Sequence, residues 1–200
     1  MAEVKRRTQA ERREQAEARL LDQAVKLVGK LGYDGFTLAD VAETAGYSRG
    51  LPAHYFGSKE ELLARVAEHV IGSYNEGAGN ISSYERGLPT LVALVRKYVK
   101  GHGVEIRTLQ ILITQALVIP RLRKTIAKLN AEGKKNIEAE IRIGIEQGNI
   151  RPDIDPTAHA AVIYSFLRGQ MAFAALNKSF DQNAAGEEFV SCMCARLQPN

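Results

Sequence analysis

The chain has 200 residues, 45% hydrophobic and 25% charged, with a formal net charge of +4 and a pI near 9.1. That length suits one compact domain, or a small domain grafted on a larger one, and the apolar content is enough for a core. There is no long uninterrupted apolar run. The N-terminus, MAEVKRRTQAERREQ, is charged where a signal peptide needs an apolar stretch, so the sequence predicts neither membrane insertion nor export and points to the cytoplasm.

Metal and redox chemistry find little to work with. Cys192 and Cys194 lie two apart, a spacing that matches neither a redox pair nor a zinc half-site, and they read as buried thiols. His54, His69, His102 and His159 show no i, i+4 pairing, so no metal and no cofactor is expected. With no nucleophile elbow and no glycine-rich phosphate loop after a strand, an enzyme is not indicated. The basic balance invites a nucleic-acid reading. It is not concentrated at the N-terminus: residues 1–65 hold 11 Lys+Arg against 10 Asp+Glu, and residues 66–200 hold 16 against 13. The most local excess is Lys5, Arg6, Arg7, Arg12 and Arg13 against Glu3 and Glu11, either a basic arm for DNA or a solvated tail.

Apolar residues from Leu20 to Leu31 recur at helical spacing in a first helix from about Gln9, and Gly32 follows where a C′ glycine belongs. Thr37 precedes Leu38-Ala39-Asp40-Val41 as an N-cap with an acidic residue at N3, opening a short second helix that Gly46 ends. Ser48 is the candidate N-cap of a third short helix that ends at Gly57, and Ser58-Lys59-Glu60-Glu61 reads as a full capping box opening a fourth. Short helix, tight glycine turn, short helix is the helix-turn-helix pattern.

Beyond Ile71 the composition turns to GSYNEGAGNISSYERG, which predicts a loop. An amphipathic helix carrying Leu91, Leu94, Val95 and Tyr98 ends at Gly101-His102-Gly103, and a more apolar one runs from Val104 to Val118. Pro120 marks the next junction. Leu122 to Ile145 trace a long helix, GNIRPDIDP breaks the chain, and helices at about 157–177 and 186–197 complete it. No strand-period alternation stands out, so the expectation is an all-α fold of about nine helices: a three-helix head at 1–57 on a larger bundle at 58–200.

The segment AGYSRGLPAHYFGSKEEL carries the chemistry. Gly50 and Ala53 leave clearance for a groove, and Arg49 can donate to guanine or to phosphate. Leu51 can meet a thymine methyl, while Thr37, Ser48, His54, Tyr55 and Lys59 carry donors for the sugar-phosphate backbone. Tyr55 and Phe56 can also act as core staples between the third helix and the first.

Leu20 to Leu63, with FTLADVAETAGYSRG and HYFGSKEEL, resembles the DNA-binding head of the TetR family of bacterial transcriptional regulators. The resemblance rests on Gly32, Thr37, Ala42, Ala45-Gly46, Ser48, Gly50, Tyr55-Phe56, Lys59 and Leu62. It covers roughly the first third of the chain. GIEQGNIRPDIDP resembles the junction that precedes the family's dimerising helices. The implied function is a ligand-responsive transcriptional regulator, a repressor that binds a palindromic double-stranded DNA operator as a homodimer and is released by a small-molecule effector. One departure stands out. Where members commonly read threonine, an apolar residue and tyrosine after the recognition-helix glycine, this chain has Leu51-Pro52-Ala53, so the phosphate contact of that tyrosine passes to His54 and Tyr55. Because of Pro52, a helical protein-interaction module without DNA binding is the alternative.

For self-association, small residues at Ala161, Ser165 and Ala172 alternate with large ones such as Phe173, and the resemblance implies that this helix pairs with its copy in a four-helix interface. An intramolecular core is the other reading. Arg107, Gln110 and Thr114 fall at i, i+3 and i+7, a polar line that either orients a ligand inside the bundle or marks its solvent edge. Tyr98, His102, Tyr164 and Arg168 are further ligand candidates.

Overall fold

The computed structural model describes residues 8–76, 85–100, 103–177 and 179–199; Lys5, Arg6, Arg7 and His102 lie outside them. Among the described residues the fold is all-α, a helix-turn-helix head followed by a bundle. The head is α1 (Gln9–Leu31), α2 (Leu38–Ala45) and α3 (Leu51–Phe56). The bundle is α4 (Lys59–Glu76), α5 (Leu88–Lys100), α6 (Val104–Gln115), α7 (Pro120–Glu146), α8 (Pro156–Leu176) and α9 (Gln182–Leu197). None of the described helices is long and apolar enough to cross a membrane.

Caps set most of the boundaries. Thr8 and Glu11 close a capping box on α1, and Thr37 and Asp40 close one on α2. Four expectations need correction. Helix α4 does not stop at Ile71 but continues through Gly72 to Glu76. An interior glycine costs a helix roughly 1 kcal/mol, and the buried run from Leu62 to Val70 outweighs it. Helix α6 ends at Gln115, not Val118, because Arg123 reaches back to the carbonyls of Ala116 and Leu117 and the chain turns there. Helix α9 starts at Gln182, earlier than expected, since the Asp181 carboxylate accepts from Ala184 N at 2.9 Å. The thiols are not buried: Cys192 is exposed and Cys194 half-buried, while Met193 between them turns into the core.

Two apolar cores fill the molecule. The first joins Leu20, Val28, Val41 and Phe56 of the head to Leu62 and Val66 of α4, Leu112 of α6 and Leu122 of α7. The second joins Leu91 and Val95 of α5 to Ile141 of α7, Ile163 and Leu167 of α8 and Val190 of α9. With 27 residues, α7 is about 40 Å long, so its beginning serves the first core and its end the second. At Gly29, α1 and α6 approach so closely that a Cβ would lie 2.9 Å from Thr108 Oγ1 and 3.1 Å from Val104 O. Thr108 is fully buried there and donates to Val25 O at 2.7 Å.

The predicted capping box of α4 is half made. Ser58 Oγ accepts from Glu61 N at 3.2 Å, but the Glu61 carboxylate turns away to α7. There it takes a bidentate pair from Arg121, at 2.5 and 2.8 Å. Arg121 also donates to the buried Thr125 hydroxyl at 2.7 Å. A carboxylate two residues into α4 gives up its local cap for a forked guanidinium, the stronger and more directional partner. The start of α4 and the start of α7 are thereby locked together.

Two outcomes follow from this packing. Gly29→Ala overfills the α1–α6 contact and is expected to destabilise by about 1–3 kcal/mol, read from the midpoint of denaturant unfolding. Arg121 holds the Glu61 carboxyl below its ordinary value of 4.5. A depressed carboxylate stabilises the fold above its unfolded-state pKa, and that contribution is lost as pH falls through the folded value. Thermal unfolding should therefore show a gap between wild type and Glu61→Gln that narrows from about pH 6 to about pH 3.

Candidate nucleic-acid interface and bundle cavity

Helix α3 is six residues long and begins later than its sequence suggests. Gly50, not Ser48, is the residue before the first turn, and no side chain caps it. Pro52 then falls among the first helical residues, where backbone N–H groups have no helical partner, so its missing donor costs nothing there. Gly46 makes the turn out of α2 in the left-handed conformation, φ 75° and ψ 34°, as glycine readily does.

This geometry sorts the side chains of α3 into two faces. Pro52 and Phe56 are buried and Leu51 and Tyr55 half-buried, anchoring the helix on the first core. Ser48, Arg49, Gly50, Ala53 and His54 are exposed together on the opposite side, and Thr37 is exposed at the start of α2. Arg49 lies 3.8 Å from Glu43, with 81% and 72% of the two side chains exposed. A pair so open is worth little and exchanges readily for another anion.

The remaining candidates are tied into the head. Tyr55 donates its hydroxyl to Arg13 O at 3.4 Å, and the Arg13 guanidinium lies 5.7 Å from its ring. Lys59 points inward. Its ammonium donates to Phe36 O at 2.5 Å and sits over the rings of Phe36 and Tyr33, at 4.4 and 4.9 Å. Burial pushes its pKa down, with Asp34 and Asp40 acting in the opposite sense. The Thr37 hydroxyl bonds Asp40, and that bond holds the Asp40 carboxyl below its usual value. Arg13, read in the sequence with the basic arm, lies exposed on α1 beside this surface, and sequence reasoning missed a second exposed cation there, Arg19, whose guanidinium lies 5.8 Å from the Tyr47 ring.

A second site lies where the two cores meet. A small, partly open cavity there is lined by Tyr98, Leu109, Leu129, Gly133, Tyr164 and Arg168, among others. Tyr98 packs against both cores. A Cβ at Gly133 would lie 2.5 Å from a Tyr164 ring carbon, so the missing side chain is what seats that ring across α7. The cavity thus unites Tyr98, Tyr164 and Arg168 of the ligand candidates. Arg107 and Thr114 face solvent, with the Thr114 hydroxyl bonded back to Gln110 O at 3.0 Å. Gln110 buries an unpartnered Nε2 but is not on the cavity wall.

The dimerisation candidates lie along α8. Ser165 and Phe173 are exposed and Ala161 and Ala172 half-buried. Val162, Phe173 and Leu176 leave 60%, 58% and 83% of their surface open on that helix.

Residues 20–66 match the family model described as bacterial regulatory proteins, tetR family. Over 64 residues the chain is 45% identical to the HTH-type transcriptional regulator CymR of Pseudomonas putida, covering 32% of each protein. It is 28% identical over 155 residues to the HTH-type transcriptional repressor NicS of Pseudomonas putida, covering 74% of this chain and 71% of that one. The chain thus matches only about a third of the length of the first curated relatives, in the head, and most of the length of another. Among solved structures, a TetR transcriptional regulator from Chloroflexus aurantiacus superposes with a TM-score of 0.81. At 19% identity, that alignment covers 95% of this chain and all of the other. The helix-turn-helix head thus matches the tetR family of bacterial regulatory proteins over residues 20–66, and the fold along nearly the whole chain is that of the Chloroflexus aurantiacus protein.

Proposed function

We propose that the chain is a cytoplasmic, homodimeric, ligand-responsive transcriptional regulator. It is a repressor that binds a palindromic operator and is released by a small-molecule effector, with no catalytic step. The observation that carries the reading is the two-faced α3. Buried Pro52 and Phe56 fix it, and Ser48, Arg49, Gly50, Ala53 and His54 stand free on one surface. Small side chains at Gly50 and Ala53 let the backbone approach a groove, and Arg49 supplies the bidentate donor. Leu51 and Tyr55 flank that surface, and Thr37 begins the supporting helix. Lys59 serves first by fixing the α1–α2 loop, and Lys5, Arg6 and Arg7 precede α1 as a basic arm for the backbone. Residues 1–57 bind DNA in this reading, and residues 58–200 bind the effector and dimerise.

Dimerisation is supported by the apolar stripe of α8. Val162, Phe173 and Leu176 are large, apolar and open, and Ala161, Ser165 and Ala172 beside them let a second helix come close. The exposed face of α9, with Ala184, Ser191, Cys192 and Ala195, continues the small-residue surface. Two copies would bring two α3 helices to one duplex, and a two-fold protein reads a two-fold site. The cavity at the seam of the two cores supplies the place for an effector.

Binding to duplex DNA should weaken linearly on a log–log salt plot, and Arg49→Ala should make the slope shallower by about one. An unchanged slope would remove Arg49 from the phosphate contacts. Leu176→Glu should convert the dimer to a monomer by sedimentation and weaken binding to a palindromic duplex far more than to a single half-site. A dimer that survives Leu176→Glu and Phe173→Glu together would move the interface off α8.

A further inference from the structure

The seam cavity holds a cation, Arg168, whose charge no carboxylate among the described residues answers. Elsewhere in the bundle, Arg86, Arg96, Arg121, Arg142 and Arg151 each close on a carboxylate. Arg168, half-buried on the cavity wall, has no acidic partner among the described residues; its guanidinium donates to the neutral amide oxygen of Asn130 at 2.6 Å and lies 5.1 Å from the Tyr164 ring centre. Tyr164 donates to the same Asn130 oxygen, at 2.8 Å. Two donors, one of them charged, therefore converge on a single neutral acceptor. Glu132 also lines the cavity, but its side chain is 54% exposed and lies 3.8 Å from Lys128, so its charge belongs to the mouth. The positive field reaches across the cavity: Arg168 opposes the rise that burial causes in the Tyr98 pKa.

Hydrogen bonds to an ionised acceptor are roughly twice as strong as neutral ones, and a partly desolvated guanidinium gains most from an anion. The rest of the wall, Leu109, Leu129, Leu167 and Met171, is apolar. We propose that the effector of this cavity is a small organic acid whose carboxylate takes over the two donors of Arg168 and Tyr164 from Asn130, with its apolar body against Leu109, Leu129 and Met171. This rests on the ligand-responsive reading above. The closed space is about 40 Å³, room for on the order of three waters, so such a ligand enters by displacing the Tyr164 ring from its seat over Gly133.

The test uses the full-length protein and a matched set of probes: straight-chain and aromatic monocarboxylates of about four to ten carbons, each with its amide and its amine, at millimolar concentration. Thermal unfolding should rise with at least one carboxylate and not with its amide or amine, since a ligand that binds only the folded state raises its midpoint. Calorimetric titration of that carboxylate should weaken on the order of tenfold or more in Arg168→Gln, and less in Arg168→Lys. It should tighten in Asn130→Ala, which frees both donors. The exposed Arg107→Gln should leave it unchanged. If Arg168→Gln fails to fold, Asn130→Ala and Arg168→Lys decide. The proposal is overturned if no carboxylate stabilises the protein, if amides act equally, or if Arg168→Gln binds as wild type does. Operator binding is measured separately on the ligand-free protein. Carboxylate binding without any effect on DNA would leave the anion site standing and refute the regulatory reading alone.

Discussion

A helix of six residues is too short to hold itself together in water, yet α3 carries the exposed surface on which the proposed function rests. Its order comes entirely from what surrounds it. Pro52 and Phe56 are driven into the first core, Tyr55 is bonded to the backbone of α1, and Gly57 ends the helix one residue before Ser58 starts the next. Lys59 closes the clamp from the far side by bonding the Phe36 carbonyl, which fixes the α1–α2 connection against the start of α4. Burial of these anchors is what leaves Arg49, Gly50, Ala53 and His54 free to face a partner.

The same clamp ties the head to the bundle. Glu61 lies three residues from Ser58 and within a turn of α3, and its bond is to Arg121 at the start of α7. Farther along α7, Leu129 and Gly133 line the seam cavity. One helix therefore touches α4, next to the head, at its first turn, the cavity at its middle and the second core at its end. A ligand acts on such a system only through unequal affinity for two arrangements. In the proposed reading, a ligand that moves the Tyr164 ring off Gly133 acts on α7, whose first turn is bonded to α4 through Glu61 and Arg121.

Much of this was legible in the chain because the signals are local. The Thr37–Asp40 box, the glycines after α1, α2 and α3, and Pro120 at the start of α7 each act within a few residues, and the helices lie where those residues put them. What escaped depends on contacts distant in sequence. Glu61 reads as a capping-box acid until Arg121, sixty residues on, claims it. Lys59 reads as a free cation until the Phe36 carbonyl and two rings enclose it. The line of Arg107, Gln110 and Thr114 is equally compatible with solvent and cavity in sequence, and only the rotation of α6 in the bundle turns Arg107 and Thr114 outward. The continuation of α4 past Gly72 escaped because composition registers the glycine and not the packing before it.

The most direct test of the central claim is selection of bound sequences from a random duplex library, using the full-length protein at moderate salt without effector. The expected result is one enriched palindrome with half-site centres about one helical turn, or a multiple of it, apart, absent when Arg49→Ala and His54→Ala are combined. Enrichment of no sequence, or of the same sequence by the double variant, would contradict the assignment of α3 as the reading helix.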